Sequence, residues 1–181
     1  MIFTETPLSG AYIVDMHRAE DERGFFARSF CVEEFAAQGL VAPVSQCSVS
    51  CNAKKATLRG LHFQAAPHDE DKLVRCTNGA IFDVIVDVRP KSPTHRQWFG
   101  AELTALNHRA LYIPKGFAHG FISMVDHTEV LYMISVPYAA GFARGLRWND
   151  PGLAIHWPEC AERVVSAKDL CFPDWSPWKR S

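Results

Sequence analysis

The sequence predicts an all-β fold, a sandwich or barrel with few short helices. Short segments rich in β-branched and aromatic residues recur at intervals of about a dozen residues from Ala56 onward, divided by turn residues. Helical periodicity, by contrast, is scarce. The clearest strand is AIFDVIVDVRP, residues 80–90, in which Phe82, Val84, Val86 and Val88 alternate with Asp83, Ile85 and Asp87. WFGAEL, ALYIP, HGFISM and EVLYMISV follow as further strands, separated by NHR, PKG and VDHT. The best helix candidate is VEEFAAQG, residues 32–39, with Gly39 as its C-terminal stop.

One segment breaks the pattern. ATLRGLHFQ, residues 56–64, reads as a strand but sets Arg59 and His62 among residues that are normally buried. In a regular strand two residues three apart point to opposite faces. Either the strand is bulged at Gly60, or the two side chains serve different parts of one site.

Composition narrows the function classes. The chain of 181 residues, 48% hydrophobic, is long enough for one core, and no repeat, low-complexity run or linker divides it, so a single domain over 1–181 is expected. A formal net charge of -1 gives no bulk electrostatic reason for nucleic acid or an anionic membrane as partner, so any anion must be bound locally. The opening residues lack a charged stretch followed by an apolar run, and no window approaches the ~18 apolar residues of a membrane span. The expectation is a soluble, cytoplasmic protein. Six cysteines without a CxxC pair read as buried free thiols. Cys47 and Cys51 are poor zinc candidates, because a structural zinc takes four ligands.

Other chemically capable residues are Lys72 and Arg75 at a strand start, His119 in a turn within PKGFAHGF, and Tyr132 and Tyr138 in or beside EVLYMISVPY. Each alone has an ordinary structural explanation: a solvated strand-end charge, a turn residue, a half-buried aromatic.

Together they resemble a known family. DERGFFARSF, TLRGLHFQ, KLVRCTNGAIFDVIVDVRPKSPT, LYIPKGFAHGF, TEVLYM, RWNDP and SAKD fall in the order and spacing of the dTDP-4-dehydrorhamnose 3,5-epimerases, from about Gly10 to Asp169. The resemblance implies a cupin-type jelly-roll barrel in a homodimer, with a nucleotide sugar held in the barrel mouth. Cupins often bind a metal through an HxH…E…H set. PKGFAH is similar to its second half, but no HxH occurs, so no metal and no cofactor are expected.

The family's reaction accounts for these residue types. In a 4-keto-6-deoxy sugar, C3 and C5 both flank the ketone, so removing either proton gives an enolate delocalised onto O4. Inversion then needs a base on one face of the ring, an acid on the other and a cation near O4. By resemblance the base is His62, since neutral imidazole is available near physiological pH. Asp169 would fix its tautomer, Tyr132 would be the acid, and Lys72 the cation at the oxyanion. Arg59 and Arg23 would hold the diphosphate, and Phe26 would pack on the nucleobase. Tyr138 would pack on the sugar side, with Gln46, His119 and Lys168 as further substrate contacts.

The chain departs from the family pattern on the nucleotide side. Arg28 stands where many members carry a glutamate in RGFFxE, AAGFARG lacks a glutamate that usually precedes the glycine, and Ala56 replaces a common glycine. Thymidine is therefore the leading base, with cytidine the alternative. The competing functions are a 3- or 5-monoepimerase, a ketoisomerase, a sugar-nucleotide binding protein without catalysis, and a metal-dependent cupin oxygenase.

Overall fold

The computed structural model describes residues 1–42 and 44–175. In chain order its elements are β1 (Ile2–Glu5), β2 (Tyr12–Asp15), β3 (Arg18–Asp21), β4 (Gly24–Ala27), α1 (Val32–Ala37), β5 (Gln46–Asn52) and β6 (Thr57–Gln64). There follow β7 (Lys72–Asn78), β8 (Ala80–Asp87), β9 (Trp98–Thr104), β10 (Ala110–Ile113), β11 (Phe117–Ser123), β12 (Thr128–Ile134), β13 (Ala143–Gly145), β14 (Val164–Val165) and α2 (Ala167–Leu170). One sheet runs β1-β2-β10-β7-β12-β5 and the other β13-β6-β11-β8-β9, with β14 added to β6. The fold is all-β, as the sequence predicts, with strands at each expected segment. Of the N-terminal strands, β3 and β5 escape sequence reading because RAED and QCSVSCN carry little β-branched content, and β1, β2 and β4 because each is only four residues long. None of the described helices is long and apolar enough to cross a membrane.

The two sheets face each other as a jelly-roll barrel, and strand alternation sorts the side chains into layers. Ile81 and Ile85 of β8 meet Phe117 and Phe121 of β11, Val74 of β7 and Val130 of β12 in the barrel interior. Val84 and Val86 face outward, where Leu146, Leu153 and Trp157 cover them. The expected split of β8 into two faces is therefore present, and both faces are buried. On the other sheet α1 lays Phe35, which has no exposed surface, against Val14, Leu73, Ala110 and Tyr112. The helix stops two residues short of the expected Gly39, which holds φ +70 and donates its N–H to Ala36.

β6 is bulged. His62 pairs with His119 and Arg59 with Phe121, so Gly60 and Leu61 together oppose Gly120 alone. The extra residue reverses the alternation: Leu58 and Leu61 both pack outward, while Arg59 and His62 both face the interior pocket. Glycine is required at this crossing. Gly60 has φ +118, and a Cβ there would lie 2.6 Å from Gly120 Cα and 2.8 Å from the His119 carbonyl oxygen. We expect Gly60→Ala to cost about 3 kcal/mol, read as a lower urea midpoint at unchanged m-value. An unchanged midpoint would show that the backbone there can yield.

Two expectations need correction. His119 lies inside β11 and is buried, not in a turn; the turn is formed by the residues before Phe117, and the strand begins earlier than PKGFAHGF suggests. Of the six cysteines only Cys76 is buried, whereas Cys47, Cys51 and Cys171 are exposed; the first two lie on the outward face of the edge strand β5. Ala56, at the family's usual glycine position, holds φ 59, a left-handed conformation that glycine adopts without strain.

Candidate active site

A pocket of about 630 Å³ opens between the sheets, within the range of small-molecule sites. β6 supplies Arg59 and His62 from one sheet, and β5, β7 and β12 supply Gln46, Lys72 and Tyr132 from the other. His119, Tyr138, Lys168 and Asp169 complete the set of expected residues that converge there. His62 and Tyr132 thus approach from opposing sheets.

His62 Nε2 lies 2.7 Å from Asp169 Oδ1, and the second oxygen of Asp169 accepts the Gly60 N–H at 3.3 Å. Asp169 is 3% exposed, so its charge is held by the imidazole and the bulge together. Its position comes from α2, whose N-cap Ser166 accepts the Asp169 N–H at 3.1 Å. With Nε2–H donated to the carboxylate, Nδ1 carries the lone pair. Burial lowers the His62 pKa below the ordinary histidine value; Asp169 opposes that shift, and the charges of Lys168 and Lys72 reinforce it. The neutral, basic imidazole is favoured.

On the facing sheet, burial raises the Tyr132 pKa, the Asp83 charge adds to the rise and Arg59 partly offsets it. The phenol keeps its proton. Its ring stands edge-on to His119 at 6.0 Å, and His119 Nε2 lies 2.7 Å from Asp83 Oδ1, both residues being buried. Lys72 is buried beside Glu70, with Nζ 2.8 Å from Oε1, and is not a solvated strand-end charge. Arg59 is aimed by Asn52, whose Oδ1 accepts its Nε–H at 2.8 Å. Gln46 Oε1 accepts the Tyr138 N–H at 3.2 Å and so ties the half-open rim to β5.

Three expected residues are not brought to this pocket. Arg23 and Phe26 sit on the separate β3–β4 hairpin, Phe26 82% exposed and Arg23 paired with Asp21. Arg28 lies just beyond the hairpin and donates to Glu34 Oε1 at 2.9 Å. Conversely, Asp83, Glu70 and Arg144 belong to the site region and were not singled out by sequence. Asp83 had a legible signal, an acid between Ile81 and Ile85 on an inward face, which requires a partner. Glu70 and Arg144 had none, since DEDK and FARG read as solvated charge.

The arrangement is that of an acid–base enzyme: a carboxylate-backed imidazole faces a protonated phenol across a pocket that also holds Lys72, Arg59 and Lys168. The sequence profile of the dTDP-4-dehydrorhamnose 3,5-epimerase family matches residues 5–176. The chain is 40% identical over 173 residues to the Sinorhizobium fredii dTDP-4-dehydrorhamnose 3,5-epimerase, covering 96% of this chain and 89% of that one. The crystal structure of dTDP-4-dehydrorhamnose 3,5-epimerase from Bacillus anthracis with TDP and PPi bound superposes with a TM-score of 0.91 at 42% identity, covering 95% of this chain and 98% of that one. A 3'-monoepimerase from Streptomyces bikiniensis in complex with dTDP-quinovose gives a TM-score of 0.86 at 30% identity, covering 93% of this chain and 85% of that one. The chain belongs to the dTDP-4-dehydrorhamnose 3,5-epimerase family.

Proposed function

We propose that the chain inverts C3 and C5 of dTDP-4-dehydro-6-deoxy-D-glucose, giving dTDP-4-dehydro-L-rhamnose, without a metal or other cofactor. The observation that carries this is the placement of His62 and Tyr132 on opposing sheets of one pocket. Epimerisation must remove a proton from one face of the ring and return one to the other. His62 Nδ1 takes the proton beside the ketone, and Asp169 stabilises the imidazolium that results. Negative charge moves to O4, where the Lys72 ammonium stabilises it. Tyr132 then delivers its proton to the opposite face. Arg59 binds the diphosphate, Tyr138 packs on the sugar side, and Gln46, His119 and Lys168 complete the substrate contacts.

The homodimer is part of the same proposal. The outward face of β5 exposes Val49 and adjoins Leu131 and Met133 of β12, an apolar edge suited to a second copy. Arg23 and Phe26 project from their hairpin with no nucleotide to bind in their own protomer's pocket, so we assign them to the partner's nucleotide, with Arg28 beside them. The whole chain is taken as one domain. Six free cysteines accord with a reducing cytoplasm.

The test is conversion of dTDP- and CDP-linked 4-keto-6-deoxyglucose followed by NMR of the product sugar. Inversion at both carbons of the dTDP sugar is expected. Inversion at one carbon alone would make the chain a monoepimerase, and a preference for the CDP sugar would overturn the assignment of the base. No conversion of either would overturn the epimerase assignment.

A further inference from the structure

We infer that Phe172 is a positioning residue for His62, its ring acting as a wall that fixes the plane of the imidazole and keeps water from the side of the ring that it faces. The Phe172 ring stands edge-on to His62, with centroids 5.9 Å apart and an interplanar angle of 65°. It rests on Gly145, the residue directly opposite His62 in the β13–β6 pair. A Cβ on Gly145 would lie 2.2, 2.3 and 2.5 Å from three atoms of the Phe172 ring, so only glycine leaves room for the wall.

The same short segment therefore holds the imidazole twice. Asp169 fixes Nε2 through one hydrogen bond, which alone still lets the ring plane swing about that contact. Phe172, three residues on, limits the swing by an edge contact. Placement matters here because a displacement of about 1 Å at a reacting group can cost about 10²-fold in rate. The charged groups facing His62 are Asp169 and Lys168 from the α2 segment and Lys72 from β7, and none changes when Phe172 is substituted. Burial is the largest influence on His62 and lowers its pKa. Opening the wall should therefore move its titration upward, toward the ordinary value near 6.5.

The kinetic consequence rests on His62 being the base, as proposed above, whereas the titration does not. The experiment is NMR titration of the His62 ring proton, with the pH profile of kcat beside it, in wild type, Phe172→Leu, Phe172→Tyr and Gly145→Ala. Phe172→Leu and Gly145→Ala should raise the His62 midpoint, lower kcat about 10-fold or more and leave KM nearly unchanged, while Phe172→Tyr should restore both. Gly145→Ala pushes the ring away from the other side while residue 172 itself is unchanged, so the same titration shift in both variants, with the fold retained by circular dichroism, ties the effect to the position of the ring. A Phe172→Leu protein that melts lower but keeps the wild-type midpoint and kcat would reduce Phe172 to packing and overturn the inference. A shifted midpoint in a chain that turns over no 4-keto sugar would overturn the epimerase assignment and uphold the wall.

Discussion

Replacing His62 by alanine is expected to slow solvent exchange at the carbons beside the ketone by about 10²- to 10⁴-fold, with dTDP affinity retained. The imidazole is the side chain on β6 whose Nε2 is committed to Asp169, leaving Nδ1 as the proton acceptor. Its removal should not unfold the barrel, because His62 is 43% exposed at its side chain and the bulge depends on Gly60 and Gly120. The pH dependence should agree. Because burial lowers the His62 pKa, the acid limb of kcat/KM should lie below the ordinary histidine value, and activity should hold above it. Asp169→Asn should lose activity while keeping the ring in place, since an amide can donate to Nε2 and force the proton onto Nδ1. Exchange that persists at the wild-type rate in His62→Ala would remove His62 from the role of base.

Tyr132→Phe is expected to separate proton removal from inversion. The ring packs against the interior cluster and stands edge-on to His119, contacts that phenylalanine keeps, so stability should change little. The hydroxyl alone is lost. Burial and the nearby Asp83 charge raise its pKa, so the wild-type phenol enters the reaction protonated, as an acid must. In the variant, label from solvent should still enter through His62, while formation of inverted sugar falls by about 10²- to 10⁴-fold. Inversion at the normal rate would show that the proton comes from elsewhere.

Much of this site was legible because its residues sit in strands whose neighbours fix their direction. The conflict between Arg59 and His62 in TLRGLHFQ left two readings, a bulge at Gly60 or two side chains serving different parts of one site, and the structure places a bulge there. Lys72, Tyr132 and Tyr138 were each ambiguous alone and became a set only through block order, since proximity across 60 or more residues is a property of the barrel and not of local pattern. What escaped reading has physical reasons. α2 is one turn long and held by a Ser166 cap, too short for any periodic signal. β3 and β5 lack the apolar alternation of a half-buried strand, the one in a hairpin apart from the two sheets and the other at an open edge. His119 was displaced from strand to turn because PKG sits directly before the strand and glycine recurs at Gly120 within it. Phe172 carried no local signal at all, because what it touches is Gly145 and His62, both distant in sequence.

The central claim is that one pocket performs proton transfer on both faces of a 4-keto sugar, with His62 and Tyr132 divided between two sheets. The most direct measurement is incubation of the wild-type protein with dTDP-4-keto-6-deoxyglucose in D₂O, with deuterium followed at C3 and C5 by NMR. Label at both carbons, lost from both in His62→Ala, is the predicted result. Absence of label at either carbon in the wild type, or label that survives in His62→Ala, would contradict the account.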